Sequence, residues 1–134
     1  YMHWGVEREE EPKEYVRELA HQIVEAGADL VIGAHPHVLQ GTEYWKGVPI
    51  VYSLGNLVFG SSIPKTMLLK ARIEPDTGET VLSVLPAKGA LGYTRELEAS
   101  ERPTFYDWYE GLSFDISVSE DGTLVPAGQV AGSE

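Results

Sequence analysis

Asp29-Leu30-Val31-Ile32-Gly33-Ala34-His35-Pro36-His37 is the stretch on which the reading of this chain turns. A short apolar run that stops at a glycine reads as a buried strand running out into a loop. In open α/β sheets, chemistry collects at the carboxyl ends of strands, and that is where His35 and His37 stand. The chain has four histidines. A third, His3, lies in His3-Trp4-Gly5, a second loop-like motif close to the amino terminus. Three of the four in two short motifs suggest a shared metal site. His21 falls inside a helical pattern and reads as a surface or satisfied histidine.

Working outward, Tyr1 to Trp4 is compatible with the end of a strand. Because the chain opens on Tyr1 with a motif already in place, residues upstream are expected to have been removed or to lie in another chain. The acidic run Glu7 to Glu11 leads into Pro12, a favourable start for a helix. From Pro12 to Ala26 the apolar residues Tyr15, Val16, Leu19, Ala20, Ile23 and Val24 form one stripe at helical spacing. Gly27 is placed to cap it, and Asp29 to Gly33 is the following strand, buried on both faces. Residues 12–33 thus form an α-β unit.

Val38 to Gly47 reads as a connection carrying Tyr44, Trp45 and Lys46. Pro49 to Leu54 is a second apolar strand, again ended by glycine, in Gly55-Asn56; Asn56 is the only asparagine. Two strands ending in polar, Gly-containing loops point to one sheet edge where a site is built. Further on, Thr66 to Glu74 alternates as a half-buried strand. Pro75-Asp76-Thr77-Gly78 is a turn, and Glu79 to Pro86 returns as the antiparallel partner. Ala87 to Arg102 reads as irregular and Thr104 to Glu110 as one or two aromatic helical turns. Phe114, Ile116 and Val118 alternate, Glu120-Asp121-Gly122 turns, and Leu124-Val125 follows. The tail, 127–134, is expected to fray. The whole reads as a single partial α+β domain: a metal-site half over 1–60, a β-rich remainder over 61–126, then the tail.

The 134 residues suffice for one core. A net charge of −11 argues against nucleic acid or an anionic membrane as partner, but not against a small anionic substrate beside a bound metal. The absence of cysteine removes disulfides, thiolate metal sites and cysteine nucleophiles. No stretch is long and apolar enough to span a bilayer.

Neutral imidazole ligates zinc, iron and related metals. Histidines at i and i+2 in an extended segment point to opposite sides, which suits two metals, or a metal and a substrate, better than one shared ion; a bend at Pro36 would alter this. Two ions about 3.5–4 Å apart form a clamp for displacement at phosphorus, and such a site also needs carboxylates. Asp29, at the far end of its strand, Asp76 and Asp121, in turns, and Asp107 and Asp115, without a motif, are poor candidates. Glu7, four residues after His3, reads as a solvated or helix-capping acid, and Asn56 as a turn residue unless it converges with the histidines. The aromatics Phe105, Tyr106, Trp108 and Tyr109 read as core or interface.

Three segments together, His3-Trp4-Gly5-Val6-Glu7, Ala26 to Gln40 and Tyr52 to Phe59, resemble the carboxyl-terminal motifs of the capsule-synthesis CapA family, the poly-γ-glutamate group within the calcineurin-like metallophosphoesterases. The likeness is dense over residues 1–60 and weak from Pro64 onward. It implies the carboxyl-terminal half of a metallophosphoesterase-like β sandwich flanked by helices, with two divalent ions (Mn, Zn, Fe or Mg) at the strand ends. His3, His35 and His37 would be metal ligands, one of the last two for each ion. His35, Asn56 and Glu7 would be candidates for catalytic roles. The superfamily's amino-terminal motifs, which supply the bridging carboxylate, are absent from this sequence, so the chain by itself is expected to be inactive. Implied partners are the upstream half of the same domain, a phosphoester or anionic polymer, and capsule synthase components. The implied location is the extracytoplasmic face of the bacterial envelope. The resemblance leaves two functions open: part of a hydrolase of capsule or envelope polymer synthesis, or a non-enzymatic polymer-binding or scaffold component. A third reading, a structural remnant whose histidines hold no ligand, is separated from the first by metal titration.

Overall fold

The computed structural model describes residues 1–128. Its first half is built on a four-stranded sheet: β1 (Met2–His3), β2 (Val31–Ala34), β3 (Leu39–Trp45) and β4 (Val48–Leu54), in the order β1-β2-β4-β3. β1, β2 and β4 run parallel, and β3 is antiparallel to β4. The ends of β1, β2 and β4 therefore point the same way, and the loops after them share one edge.

Helix α1 (Glu14–Glu25) covers one face. Its buried residues, Val16, Ala20 and Val24, fall at successive i+4 positions, while Tyr15 and Leu19 of the expected stripe are exposed. The buried seam is thus narrower than the apolar pattern. Pro12 is buried just ahead of the helix rather than in its first turn. Gly27 takes φ +110° beyond the last turn, a left-handed conformation suited to glycine. Against α1 pack Trp4, Val31, Ile50 and Tyr52.

The other face meets a second core. β5 (Ile63–Ile73), β6 (Thr80–Ala90) and β7 (Tyr93–Glu96) form an antiparallel sheet, and α2 (Arg102–Leu112) follows. β8 (Ile116–Val118) and β9 (Leu124–Pro126) close the described chain as a short hairpin. Leu39, Val51, Met67, Leu82, Phe105 and Tyr109 belong to this core. On β4, Ile50 and Tyr52 face α1 while Val51 faces the second core, the period-two alternation of a strand. A strand covered on both sides carries no alternation of polarity, which is why Pro49 to Leu54 reads as a continuous apolar run.

Three segments depart from the sequence reading. Val38 to Gly47 is not a plain connection but strand β3 and half of a tight hairpin, with Trp45 opposite Val48. Its buried Gln40, Thr42 and Glu43 hid it, because each has a partner that a sequence does not display. Ala87 to Arg102 is largely regular: β6 runs on to Ala90, and β7 pairs back on it. α2 has three turns rather than one or two. In the tail, Ala127 donates its N–H to the carbonyl of Asp115 at 2.8 Å; the expected fraying over 129–134 lies outside the described residues. Among the described residues no helix is long and apolar enough to cross a membrane.

Candidate metal centre

The register of the parallel strands sets His3 opposite Ala34, immediately before His35. Trp4 then donates its backbone N–H to the Ala34 carbonyl at 3.0 Å, and its indole N–H to the buried Tyr52 carbonyl at 2.9 Å. The indole crosses directly above Gly33. A Cβ at that position would lie 2.2 Å from both Trp4 Nε1 and the Tyr52 carbonyl oxygen. Gly33 thus admits the tryptophan that fastens the first motif to the second.

The loop after β2 is not extended. His35 has φ 107° and His37 φ 62°, left-handed conformations that cost energy in residues with a Cβ and concentrate at functional sites. The opposite-sides argument for i and i+2 therefore does not hold here, and the bend at Pro36 sends both rings to one region. The His35 ring lies between the other two, 4.5 Å from that of His3 and 5.7 Å from that of His37.

Two further residues join them. Asn56, in the loop after β4, accepts a hydrogen bond at its carboxamide oxygen from His37 Nδ1 at 2.9 Å. With the proton on Nδ1, the Nε2 lone pair of His37 is free for a ligand. Glu7 has been turned back toward the same place. Arg8, at φ 64°, donates its backbone N–H to the Pro36 carbonyl at 2.7 Å. This pins the Val6 to Glu9 turn onto the histidine loop and leaves Glu7 Oε1 3.9 Å from His37 Nε2. Donor atoms of Glu7, His35 and His37 all lie within 4.8 Å of one another; His3 stands outside that tight set, against His35. Two imidazoles and a carboxylate are a donor set that suits zinc, iron or manganese better than magnesium, which prefers oxygen throughout.

Asp29, exposed before β2, is at the other end of the sheet, where it lines a cavity of about 970 Å³ with Glu43, Trp45 and Phe114. None of the five candidate residues reaches that cavity. A cleft of about 430 Å³ does open at His37, lined by Glu7, His37, Asn56, Arg8, Ser62, Lys65 and Trp108. Arg8, Lys65 and Trp108 were not legible as site residues. Arg8 is hidden in an acidic run, and the other two lie far along the chain from the histidine motifs.

His21 is a satisfied histidine. It bonds Glu43 at 3.0 Å and stacks on Trp45 at 3.8 Å. Burial opposes the charged form of Glu43, but hydrogen bonds from Tyr52 and Arg17, and then His21, outweigh it and hold the carboxyl below its usual value.

The motif residues carry a family signature. The profile of the bacterial capsule synthesis protein family, PGA_cap, matches residues 1–61. Over this segment, a little under half of the chain, it is similar to that family. It is 45% identical over 64 residues to the PGA biosynthesis protein CapA of Bacillus subtilis, covering 48% of this chain and 17% of that protein. It is 40% identical over 87 residues to the capsule biosynthesis protein CapA of Bacillus anthracis, covering 63% of this chain and 21% of that protein. The matched part thus spans about a fifth of either relative. All five candidate residues, Glu7 included, lie inside the family-matched segment; Lys65 and Trp108 lie beyond it.

Proposed function

We propose that this chain supplies the histidine half of a two-metal centre in a metal-dependent phosphoester hydrolase of capsule, poly-γ-glutamate or other envelope polymer biosynthesis, working on the extracytoplasmic face. The observation that carries the reading is the convergence of Glu7, His35 and His37, from two separate loops, within 4.8 Å. The ions, when bound, would supply Lewis-acid activation of a phosphoryl group and of water. His35 and His37 would hold them, with His3 beside His35 and Glu7 offering a carboxylate oxygen. Asn56 would fix the ring of His37 and so the direction of its lone pair.

A second reading, a polymer-binding or scaffold component without turnover, is favoured by the donor count: the tight set contains one carboxylate. A dinuclear site needs more negative charge, which on the hydrolase reading comes from the amino-terminal motifs of the domain.

The test is metal content by elemental analysis, together with hydrolysis of a phosphodiester, on this chain and on a longer form that includes those motifs. On the hydrolase reading the longer form holds about two ions per chain, turns over substrate, and loses both on His35→Ala. The 134-residue chain binds metal weakly and is inactive. Metal without turnover in the longer form would favour the scaffold reading, and turnover by the short chain would overturn the half-site reading.

A further inference from the structure

The chain carries ten Lys and Arg against 21 Asp and Glu, so an unpaired cation is unexpected. Lys13, Arg17, Lys46, Lys88, Arg95 and Arg102 each lie against a carboxylate. Among the described residues Arg8, Lys65, Lys70 and Arg72 do not. Lys70 and Arg72 lie toward the outer end of the β5-β6 hairpin, whereas Arg8 and Lys65 both line the cleft that begins at His37. Each is held there by something other than an acid. Arg8 is pinned through its backbone to Pro36. Lys65 places its Nζ 4.2 Å from the centroid of the Trp108 ring, a cation–π contact that positions the ammonium without neutralising it. Ser61 and Ser62 add hydroxyls, and Phe59 and Trp108 add apolar surface. Glu7 and Glu10 also line the cleft, but Glu7 is directed at His37.

We propose that this cleft is a subsite for a second anionic group of the substrate, received by Arg8 and Lys65 while the ester phosphorus faces the histidines. This rests on the metal-centre reading for the position of the phosphorus only. The substrate class is an organic phosphoester whose alcohol portion bears a carboxylate or a further phosphate. Trp108 and Phe59 cover the apolar part between the two charges.

The test follows the Trp108 indole N–H by NMR as phenyl phosphate or 4-carboxyphenyl phosphate is added to the full chain, with and without Zn2+. The carboxylated compound is expected to bind about fivefold more tightly, the scale of one exposed charge contact. Lys65→Gln and Arg8→Gln should each bring the ratio toward one, and Lys65→Arg should restore it. Amide spectra of the variants report that the fold is kept. Running 1,4-phenylene bisphosphate alongside separates a carboxylate preference from a phosphate one. Equal affinity for the two monophosphates, no binding of either, or a preference that survives both Gln variants would overturn the proposal. The metal reading fails separately, if Zn2+ and His35→Ala alter neither affinity while the carboxylate preference persists.

Discussion

At the scale of single residues, the site depends on positions that are constrained by contacts rather than by chemistry. Gly33 is buried under the Trp4 indole and against the Tyr52 carbonyl, and neither neighbour is a flexible side-chain end. Gly33→Ala is expected to destabilise the protein by about 3 kcal/mol, the upper end of ordinary overpacking. Chemical denaturation would read this, and a loss under about 0.5 kcal/mol, the scale of a neutral surface change, would mean that Trp4 can swing away at little cost. Asn56 bonds His37 Nδ1 and so orients the ring proposed to hold the metal. Asn56→Ala should lower Zn2+ affinity about tenfold, the scale seen when an outer partner of a ligating histidine is removed. Calorimetric titration measures it, and an unchanged affinity would reduce Asn56 to a turn residue.

At the scale of elements, the least legible strand, β3, is held by polar bonds. Thr42 Oγ1 and the Tyr109 hydroxyl are 2.8 Å apart between β3 and α2, and Gln40 donates to the Glu9 carbonyl at 2.8 Å. Glu43 accepts from the Tyr52 hydroxyl at 2.6 Å and from Arg17 of α1 at 3.1 Å. Because the folded-state pKa of Glu43 lies below its usual value of 4.5, its stabilising contribution is fully present above that value. It is lost as pH falls through the depressed folded value. The melting temperature should therefore drop on acidification below about pH 4.5, and drop less steeply in Glu43→Gln; parallel curves for the two proteins would refute the assignment. The β3-β4 turn makes a second prediction. Lys46 and Gly47 have φ 50° and 80°, the signs a type I′ hairpin requires. Nothing would touch a Cβ on Gly47, so Gly47→Ala should cost about 1 kcal/mol from backbone strain alone. A chemical melt showing no loss would mean the turn relaxes to another type.

At the scale of the whole molecule, the four-stranded sheet separates two cores, and the proposed metal centre sits at the carboxyl ends of its parallel strands, outside both. Binding there adds stability by mass action without repacking either core. Zn2+ at about 100 times its dissociation constant should raise stability by about 2.7 kcal/mol. The rise should show in the melting temperature and vanish in His35→Ala. A similar rise in that variant would place the binding elsewhere, for instance among surface acids. Elsewhere on the surface, charge is gathered into small networks. Glu101 receives hydrogen bonds from Arg95 and Lys88 and from the Glu98 backbone, which pull its carboxyl down to about 2. Such pairing is what leaves Arg8 and Lys65 conspicuous.

The sequence by itself determined the first α-β unit, the apolar strand Pro49 to Leu54, the Pro75 to Gly78 turn and the identity of the histidine motifs. Each is a local pattern: an apolar stripe, an apolar run closed by glycine, or a turn with the residues its dihedrals demand. What only the tertiary structure decided were the features whose partners are distant in the chain. β3 is a strand because Tyr52, Arg17 and Tyr109 satisfy its buried polar groups, and none of these is a neighbour in sequence. Glu7 meets His37 because Arg8 adopts a left-handed turn bonded to Pro36. Two histidines that extended geometry would separate converge because the backbone between β2 and β3 leaves the extended region at both. Lys65 and Trp108 join the cleft only when the sheet of β5 to β7 and helix α2 are laid against the first sheet. Periodicity reports which face of an element is buried; it carries no information about which distant side chain arrives to meet it.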